Sequence, residues 1–177
     1  MESRAASEAE WIGEAVLQYE RRLLRYAQSL TRDLERARDA VQETFLELTR
    51  SASKVDRLRP EPWLFAVCRG KSVDLARRET RRAHRPAGDL ALHESPDPPP
   101  DLVAESSEAA LQARRLLARL PEREQEVVRL RFQEGLKNVE IAGVMGMTAN
   151  HVGVLLHTAL ARLRREMAPA PPAMAAR

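Results

Sequence analysis

The sequence predicts an all-α fold of two small helical domains, and three observations support this. Glycine and phenylalanine are scarce, with seven and three residues among 177, while long stretches are rich in Ala, Leu, Arg and Glu, which favour helices. Apolar residues recur at helical spacing on both sides of a proline-rich segment. That segment separates the helices, because neither a helix interior nor a central strand tolerates proline.

The N-terminal domain, residues 8–83, is predicted to contain three long helices. The first covers about 8–31, where apolar residues recur every three to four positions. The second follows Asp33, a favourable N-cap, and runs to about Arg50. A loop with the sequence "SASKVDRLRPEP" leads to a third helix over about 62–82, and Pro62 fits its first turn because no amide hydrogen bond is lost there.

An acidic, proline-rich linker is predicted at 84–107. Net charge is +4 over residues 1–85, −6 over 86–108 and +5 over 109–177, so two basic modules flank an acidic segment and are suited to one anionic partner. A flexible chain of this length spans roughly 25–30 Å root mean square, and its prolines stiffen it. The tail over 168–177 is predicted to be disordered.

The C-terminal domain, residues 108–167, is predicted to end in a helix-turn-helix. One helix runs to about Leu120, and a second opens at Pro121 and ends near Gln133. "NVEIAGVMGM" then supplies a helix and a tight turn, with Gly146 where a positive φ is expected. The next helix, "TANHVGVLLHTAL", begins after Thr148 as N-cap. An ordinary helical hairpin in a core is the alternative.

The last helix has one apolar stripe and one uncharged outer face. The outer face can contact base edges in a major groove, because Asn pairs with adenine and Val contacts the thymine methyl group. No Lys or Arg occurs in 148–160, so phosphate contacts are assigned to the amides at its N-terminus and to the arginines that follow. The DNA-binding candidates here are Thr148, Asn150, His151, Gly153, Val154, His157, Arg162, Arg164 and Arg165.

Two further surfaces are predicted in the N-terminal domain. The second helix shows carboxylates and an amide around an exposed leucine, which is typical of a protein-docking site, although a solvated charged face is the alternative. Its candidates are Asp39, Gln42, Glu43 and Leu46. The third helix and its preceding loop place cations beside an aromatic ring, which suits nucleic acid, although Trp63 fits a core equally well. These candidates are Lys54, Arg57, Trp63, Gly70, Lys71, Arg77, Arg78 and Arg81.

Several other classes of protein are not favoured. No apolar run approaches 18 residues, and the N-terminus lacks a signal-peptide pattern, so no membrane insertion is expected. A single cysteine, Cys68, excludes an internal disulfide and favours a cytoplasmic location. We expect no enzyme, metal site or cofactor, because the histidines are scattered and form no constellation with Cys68. They are His84, His93, His151 and His157.

Together these stretches resemble bacterial sigma factors of the extracytoplasmic-function (ECF) group, within the sigma-70 family. "DAVQETFLELTR" is similar to the family's helix that binds core polymerase, and "WLFAVCRGKSVDLARRETRR" resembles its −10 promoter helix. "LPEREQEVVRLRFQEGLKNVEIAGVMGMTANHVGVLLHTALARLRRE" resembles its −35-binding domain. The motifs occur in the family's order over nearly all of 10–167, with a linker where the family has one.

The resemblance implies a non-catalytic subunit that directs core RNA polymerase to promoters. It implies that the second helix docks on the polymerase β and β′ subunits, that the loop and third helix melt and read the −10 element, and that the last helix reads the −35 element. It also implies an anti-sigma protein as a candidate partner. The target promoters, the inducing signal and any such regulator are not given by the resemblance.

This sequence departs from the family at two places. Gly70 stands where the family usually has Asn, and Gly153, Val154 and Leu155 stand where Lys, a small polar residue and Arg are frequent. The resemblance therefore implies no particular −35 sequence. Two alternatives stay open: another helix-turn-helix transcription regulator, and a sigma-like adaptor that binds polymerase without reading promoters.

Overall fold

The computed structural model describes residues 2–83 and 108–167, without the side chains of 2–6, 79–83, 109 and 110. Within these residues the chain is helical and contains no strand, which confirms the predicted fold class. The helices are α1 (Glu2–Thr31), α2 (Leu34–Ser51), α3 (Glu61–Ala83), α4 (Glu108–Ala118), α5 (Glu122–Val128), α6 (Asn138–Met145) and α7 (Ala149–Met167). The predicted linker at 84–107 and tail at 168–177 lie outside the described residues.

Helices α1, α2 and α3 pack against one another and form the N-terminal domain. Leu23, Leu48, Leu64 and Phe65 are fully buried between them, so each helix turns one apolar stripe inward. Asp33 caps α2 as predicted, since its carboxylate accepts a hydrogen bond from the Arg36 amide at 2.9 Å. Helix α1 begins six residues earlier than predicted. Residues 2–12 contain no glycine or proline that would interrupt a helix.

The C-terminal domain comprises α4–α7. After α5 the chain continues through a wider helical turn at Arg129–Gln133 and leaves it at Gly135, whose φ is 73°. Helices α6 and α7 form the predicted helix-turn-helix. Gly146 has a φ of 64° at the turn, and the Thr148 hydroxyl accepts a hydrogen bond from the His151 amide at 3.2 Å.

The two domains are docked against each other, which the sequence did not predict. Helix α6 packs on α3. Tyr26 of α1 and Arg69 of α3 both bind the carboxylate of Glu126 in α5, at 2.7 and 2.8 Å. Because these residues are more than 50 positions apart in sequence, no local pattern indicates the contact.

Two glycines of the helix-turn-helix provide a matched test of this geometry. We expect Gly146→Ala to lower the free energy of unfolding by about 1 kcal/mol, because its left-handed conformation strains a residue with a Cβ atom. We expect Gly143→Ala to raise it by about 0.5–1 kcal/mol, because Gly143 lies inside α6 and alanine favours helix. Neither added Cβ would meet an atom within 4 Å, so urea denaturation should give opposite signs. If both substitutions changed the free energy of unfolding in the same direction, the left-handed turn at Gly146 would be contradicted.

Candidate protein and nucleic-acid interfaces

The outer face of α2 projects into solvent. The four candidates Asp39, Gln42, Glu43 and Leu46 are all exposed, and Leu46 is 43% exposed. Beneath them α2 is held against α1 and α3 by buried small residues and by Leu48. The result is an exposed acidic surface that includes one apolar side chain, which suits a protein partner that offers cations around a pocket.

Most of the candidates on α3 and its preceding loop are exposed, namely Lys54, Arg57, Gly70, Arg77 and Arg78. Arg57 also lies 5.1 Å from the centre of the Trp11 ring and 3.3 Å from the Glu8 carboxylate. Trp63 is half-buried against the core. The side chain of Arg81 lies outside the described residues.

Lys71 joins the α2 and α3 surfaces. Its ammonium lies 3.5 Å from the carboxylate of Glu43, so a residue predicted to bind DNA contacts one predicted to bind protein. Both side chains are at least one third exposed, and an ion pair of this kind contributes little to stability. Lys71 can therefore exchange Glu43 for a phosphate at small cost.

The outer face of α7 is available to a partner. Asn150, His151, Val154 and His157 are exposed, and Gly153 is half-buried. The opposite stripe, with Val152, Leu156 and Ala159, is buried as predicted. Thr148 is exposed at the N-terminus of α7, where helix amides bind anions such as phosphate. The side chains predicted to read bases and the N-terminus of α7 are therefore both open to a partner.

The arginines at the end of α7 are not equivalent. The Arg162 guanidinium lies 3.4 Å from the buried carboxylate of Glu124 in α5. Arg164 and Arg165 are exposed. Arg162 therefore also fastens α7 to α5, and the last two arginines are better suited to phosphate.

Cys68 is a core residue in this arrangement. Its side chain is fully buried, and burial raises the pKa of its thiol to about 12. A thiol with this pKa remains protonated near neutral pH, so it is a weak nucleophile and a weak metal ligand.

The described residues contain neither an assembled metal site nor a straight membrane span. No cluster of three or more His, Cys, Asp or Glu residues is placed to hold an ion. No single helix over 2–83 and 108–167 is long and apolar enough to cross a membrane. Helices α6 and α7 reach that threshold only as a pair bent by 102°.

Comparison with protein families identifies both domains. Residues 15–82 match sigma-70 region 2, and residues 110–163 match sigma-70 region 4. The first match runs from the middle of α1 to the end of α3, and the second runs from α4 into the last turns of α7, so each lies within one of the two docked domains.

Curated relatives are similar along most of the chain. The ECF RNA polymerase sigma factor SigD of Mycobacterium tuberculosis is 30% identical over 84% of this chain and 73% of its own length. ShbA of Streptomyces griseus, also an ECF RNA polymerase sigma factor, is 36% identical over 62% of this chain and 59% of its own length. The chain spans 36% of the length of the probable RNA polymerase sigma factor RfaY of Xanthomonas campestris, at 29% identity over 80% of this chain.

Solved structures share the fold. The sigma factor RpoE of Bartonella quintana, solved with the anti-sigma factor NepR, superposes with a TM-score of 0.65 at 18% identity, covering 86% of this chain and 94% of that one. CnrH, solved with the cytosolic domain of CnrY, gives a TM-score of 0.57 at 23% identity, covering 88% and 86%. From the two region matches and the SigD similarity, the chain belongs to the sigma-70 family, as an ECF RNA polymerase sigma factor.

Proposed function

We propose that this chain is a non-catalytic subunit that directs core RNA polymerase to specific promoters and acts in the cytoplasm, where that polymerase works. The observation that carries the proposal is the exposed acidic face of α2 around Leu46, on the same chain as a helix-turn-helix with an exposed reading face. One surface suits a protein and the other suits DNA. A chain with both can bring a polymerase to a sequence.

Docking on the polymerase would use Asp39, Gln42, Glu43 and Leu46. Their carboxylates attract cations over several ångströms and increase the rate of encounter. Leu46 then supplies the apolar anchor. It is 43% exposed in the free chain, and a partner that covers it removes this apolar surface from water. The partner surface is expected to lie on the β and β′ subunits, as in the family.

Melting of the −10 element would use α3 and its preceding loop. Arg77 and Arg78 are exposed cations for phosphate, and Lys54 lies in the loop before them. Arg57 and Trp63 are held against the N-terminal domain, so they form a firm edge against which a separated strand can rest. Gly70 has no side chain to read a base, so contact there is limited to backbone.

Reading of the −35 element would use α7, and it would be weak in isolation. The helix offers Asn150, Val154 and His157 to base edges, but its first cation, Arg162, is already paired with Glu124. Promoter affinity would then come mainly from the holoenzyme, because polymerase holds both domains close to one DNA molecule. Because this helix has few cations, a sigma-like adaptor that binds polymerase without reading promoters is a second candidate function.

An anti-sigma protein is a further partner that we propose. The Bartonella quintana neighbour was solved with one bound, and the exposed faces of α2 and α7 are surfaces that such a protein could cover.

Binding to core RNA polymerase tests the proposal at its first step. A fluorescent label at exposed Ser53 (Ser53→Cys) allows titration with purified core and readout by anisotropy, since Cys68 is buried and does not compete for the label. We expect saturable binding that excess unlabelled chain reverses. No binding to core would contradict both the sigma and the adaptor assignments.

Substitution of the reading face separates these two assignments. We expect Asn150→Ala with His157→Ala to change the preferred −35 sequence, because a correct bidentate base contact contributes about 1–3 kcal/mol of discrimination. Core binding should be unchanged. The measurement is promoter selection from a randomised −35 library by the holoenzyme, with Gln112→Ala, an exposed position on α4 outside the candidate sites, as the control. Unaltered selection would favour the adaptor.

A further inference from the structure

We propose that an arginine-lined cavity of this chain binds a small anion that carries several phosphate groups, such as inorganic tripolyphosphate or a nucleoside triphosphate. The cavity has a volume of about 1330 Å³ and lies between α1 and α3 on one side and α4 and α5 on the other. The proposed function does not require such a ligand. Binding can therefore be tested on the free chain, without polymerase or promoter DNA.

Positive charge predominates around the cavity. Seven arginines and three glutamates line it, which is an excess of four positive charges. The whole chain has a net charge of only +3, so its positive charge is concentrated here. Like charges at close range repel one another, and an anion that enters the cavity relieves this repulsion.

The three glutamates of the cavity are already paired. Each forms an ion pair with one arginine at 2.6–2.8 Å, and the pairs are Glu122 with Arg32, Glu126 with Arg69, and Glu134 with Arg22. Their negative charges are therefore engaged and do not neutralise the other arginines that line the cavity.

Five arginines of the cavity remain for a ligand. Within residues 2–83 and 108–167 none of them forms an ion pair, and they are Arg25, Arg77, Arg114, Arg123 and Arg129. A guanidinium presents a fork of N–H donors that matches the oxygens of a phosphate group. A chain of phosphates carries several charges close together, so it can pair with more of these arginines than a single phosphate can.

Arg129 is the arginine of this set that is least accessible to water. It is half-buried, and its guanidinium donates a hydrogen bond to the neutral side-chain oxygen of Gln125 at 3.1 Å. Burial lowers the pKa of the Arg129 guanidinium, and the negative charge of nearby Glu126 opposes this effect in part. A partly buried cation without a carboxylate partner gains from an anion. Such an anion must enter the cavity, which favours a small ligand over a DNA duplex.

The cavity also has an apolar part. Leu30 and Val73 are half-buried and line it together with the arginines. Ligand pockets typically measure about 300–1,000 Å³ and combine apolar walls with a few polar groups, so this cavity has room for a nucleoside beside a phosphate chain. Comparison of tripolyphosphate with GTP and ATP distinguishes the two sources of phosphate.

Titration calorimetry on the full chain tests the proposal first. We expect tripolyphosphate to bind saturably at one site per chain, and inorganic phosphate to bind about tenfold more weakly or worse, because it pairs with fewer arginines. Tighter binding of GTP or ATP than of tripolyphosphate would show that the nucleoside is also recognised, and equal binding would show that the phosphate chain suffices. Absence of saturable binding by all four compounds would overturn the proposal.

Two sets of substitutions locate the site. We expect Arg114→Ala with Arg123→Ala to weaken tripolyphosphate binding by about tenfold or more, because each removes a charge-assisted hydrogen bond. Both side chains are exposed, so the fold should be retained, as circular dichroism can verify. Arg129→Gln should independently cause a loss of similar size. Arg77 is left unchanged because it is also assigned to the −10 element.

Arg38→Ala with Arg115→Ala is the matched control. It also removes two exposed arginines, but from outside the cavity, and Arg115 directly follows Arg114 on α4. Tripolyphosphate affinity should change by no more than about twofold, because salt screens exposed charges away from the ligand. An equal loss in both double variants would mean that the anion responds only to net charge, which would overturn the proposal.

Resonances of the arginine side chains provide a direct readout of contact. In the isotope-labelled chain, tripolyphosphate should shift the Nε–Hε signals of Arg114, Arg123 and Arg129, and leave those of Arg38 and Arg115 in place. Shifts confined to arginines outside the cavity would contradict the site. If a short DNA duplex shifts the cavity signals but tripolyphosphate does not, these arginines serve nucleic acid and the proposal is wrong.

Discussion

Changing Glu43 and Leu46 together to alanine is expected to weaken binding to core RNA polymerase by about 100-fold. A central apolar anchor in a protein interface typically contributes about 2 kcal/mol, and a charged neighbour contributes about 1 kcal/mol. Both side chains are exposed on α2, and Glu43 makes only a 3.5 Å surface ion pair with Lys71. The fold should therefore be retained while affinity is lost, as measured by the anisotropy titration and circular dichroism.

Leu17 and Glu20 on α1 provide a matched control for this surface. They are an exposed leucine and an exposed glutamate three residues apart on a helix, as Glu43 and Leu46 are, and Leu17 is 87% exposed. Changing both to alanine removes the same kinds of groups from another face. Core affinity should be unaffected, and an equal loss in the two double variants would show that α2 is not the docking face.

Phe65→Ala is expected to lower the free energy of unfolding by about 3–5 kcal/mol, a large fraction of the 5–15 kcal/mol typical of a domain. The Phe65 ring is fully buried between α1 and α3. It contacts the Tyr26 ring edge-to-face at 5.1 Å between centroids, which adds to the loss of buried area. Urea denaturation monitored by circular dichroism gives the change directly.

The control for that prediction is Phe132→Ala. Phe132 is 60% exposed, so its removal should change stability by no more than about 0.5 kcal/mol. A loss below 1 kcal/mol for Phe65→Ala would mean that the core between α1 and α3 is not packed as described.

Features that depend on neighbouring residues could be predicted from the sequence. Asp33 caps α2, Gly146 adopts a positive φ, and the hydroxyl of Thr148 caps α7, because each follows from the chemistry of one turn. The faces of α2 and α7 also follow from helical periodicity, since an inward stripe fixes which side chains remain outside.

Features that depend on distant residues could not be predicted. Glu126 has the pattern of an ordinary helix glutamate, and its burial depends on Tyr26, which lies 100 positions away. The sequence position of Arg162 predicts a phosphate contact, whereas its ion pair with the buried Glu124 depends on another helix. Charge and spacing in one segment carry no information about such partners. The assignment of base and polymerase contacts remains a prediction for the same reason, since those partners are other molecules.

Run-off transcription with core polymerase on fragmented genomic DNA tests the central claim most directly. We expect the chain plus core to produce discrete transcripts that core alone does not make, and the variant with Glu43 and Leu46 changed to alanine to produce far fewer at the same concentration. The templates that yield transcripts should share two separate sequence elements at a constant spacing. If the chain binds core but its addition does not change the transcripts, a promoter-directing function is contradicted. The sigma-like adaptor then remains as the candidate function.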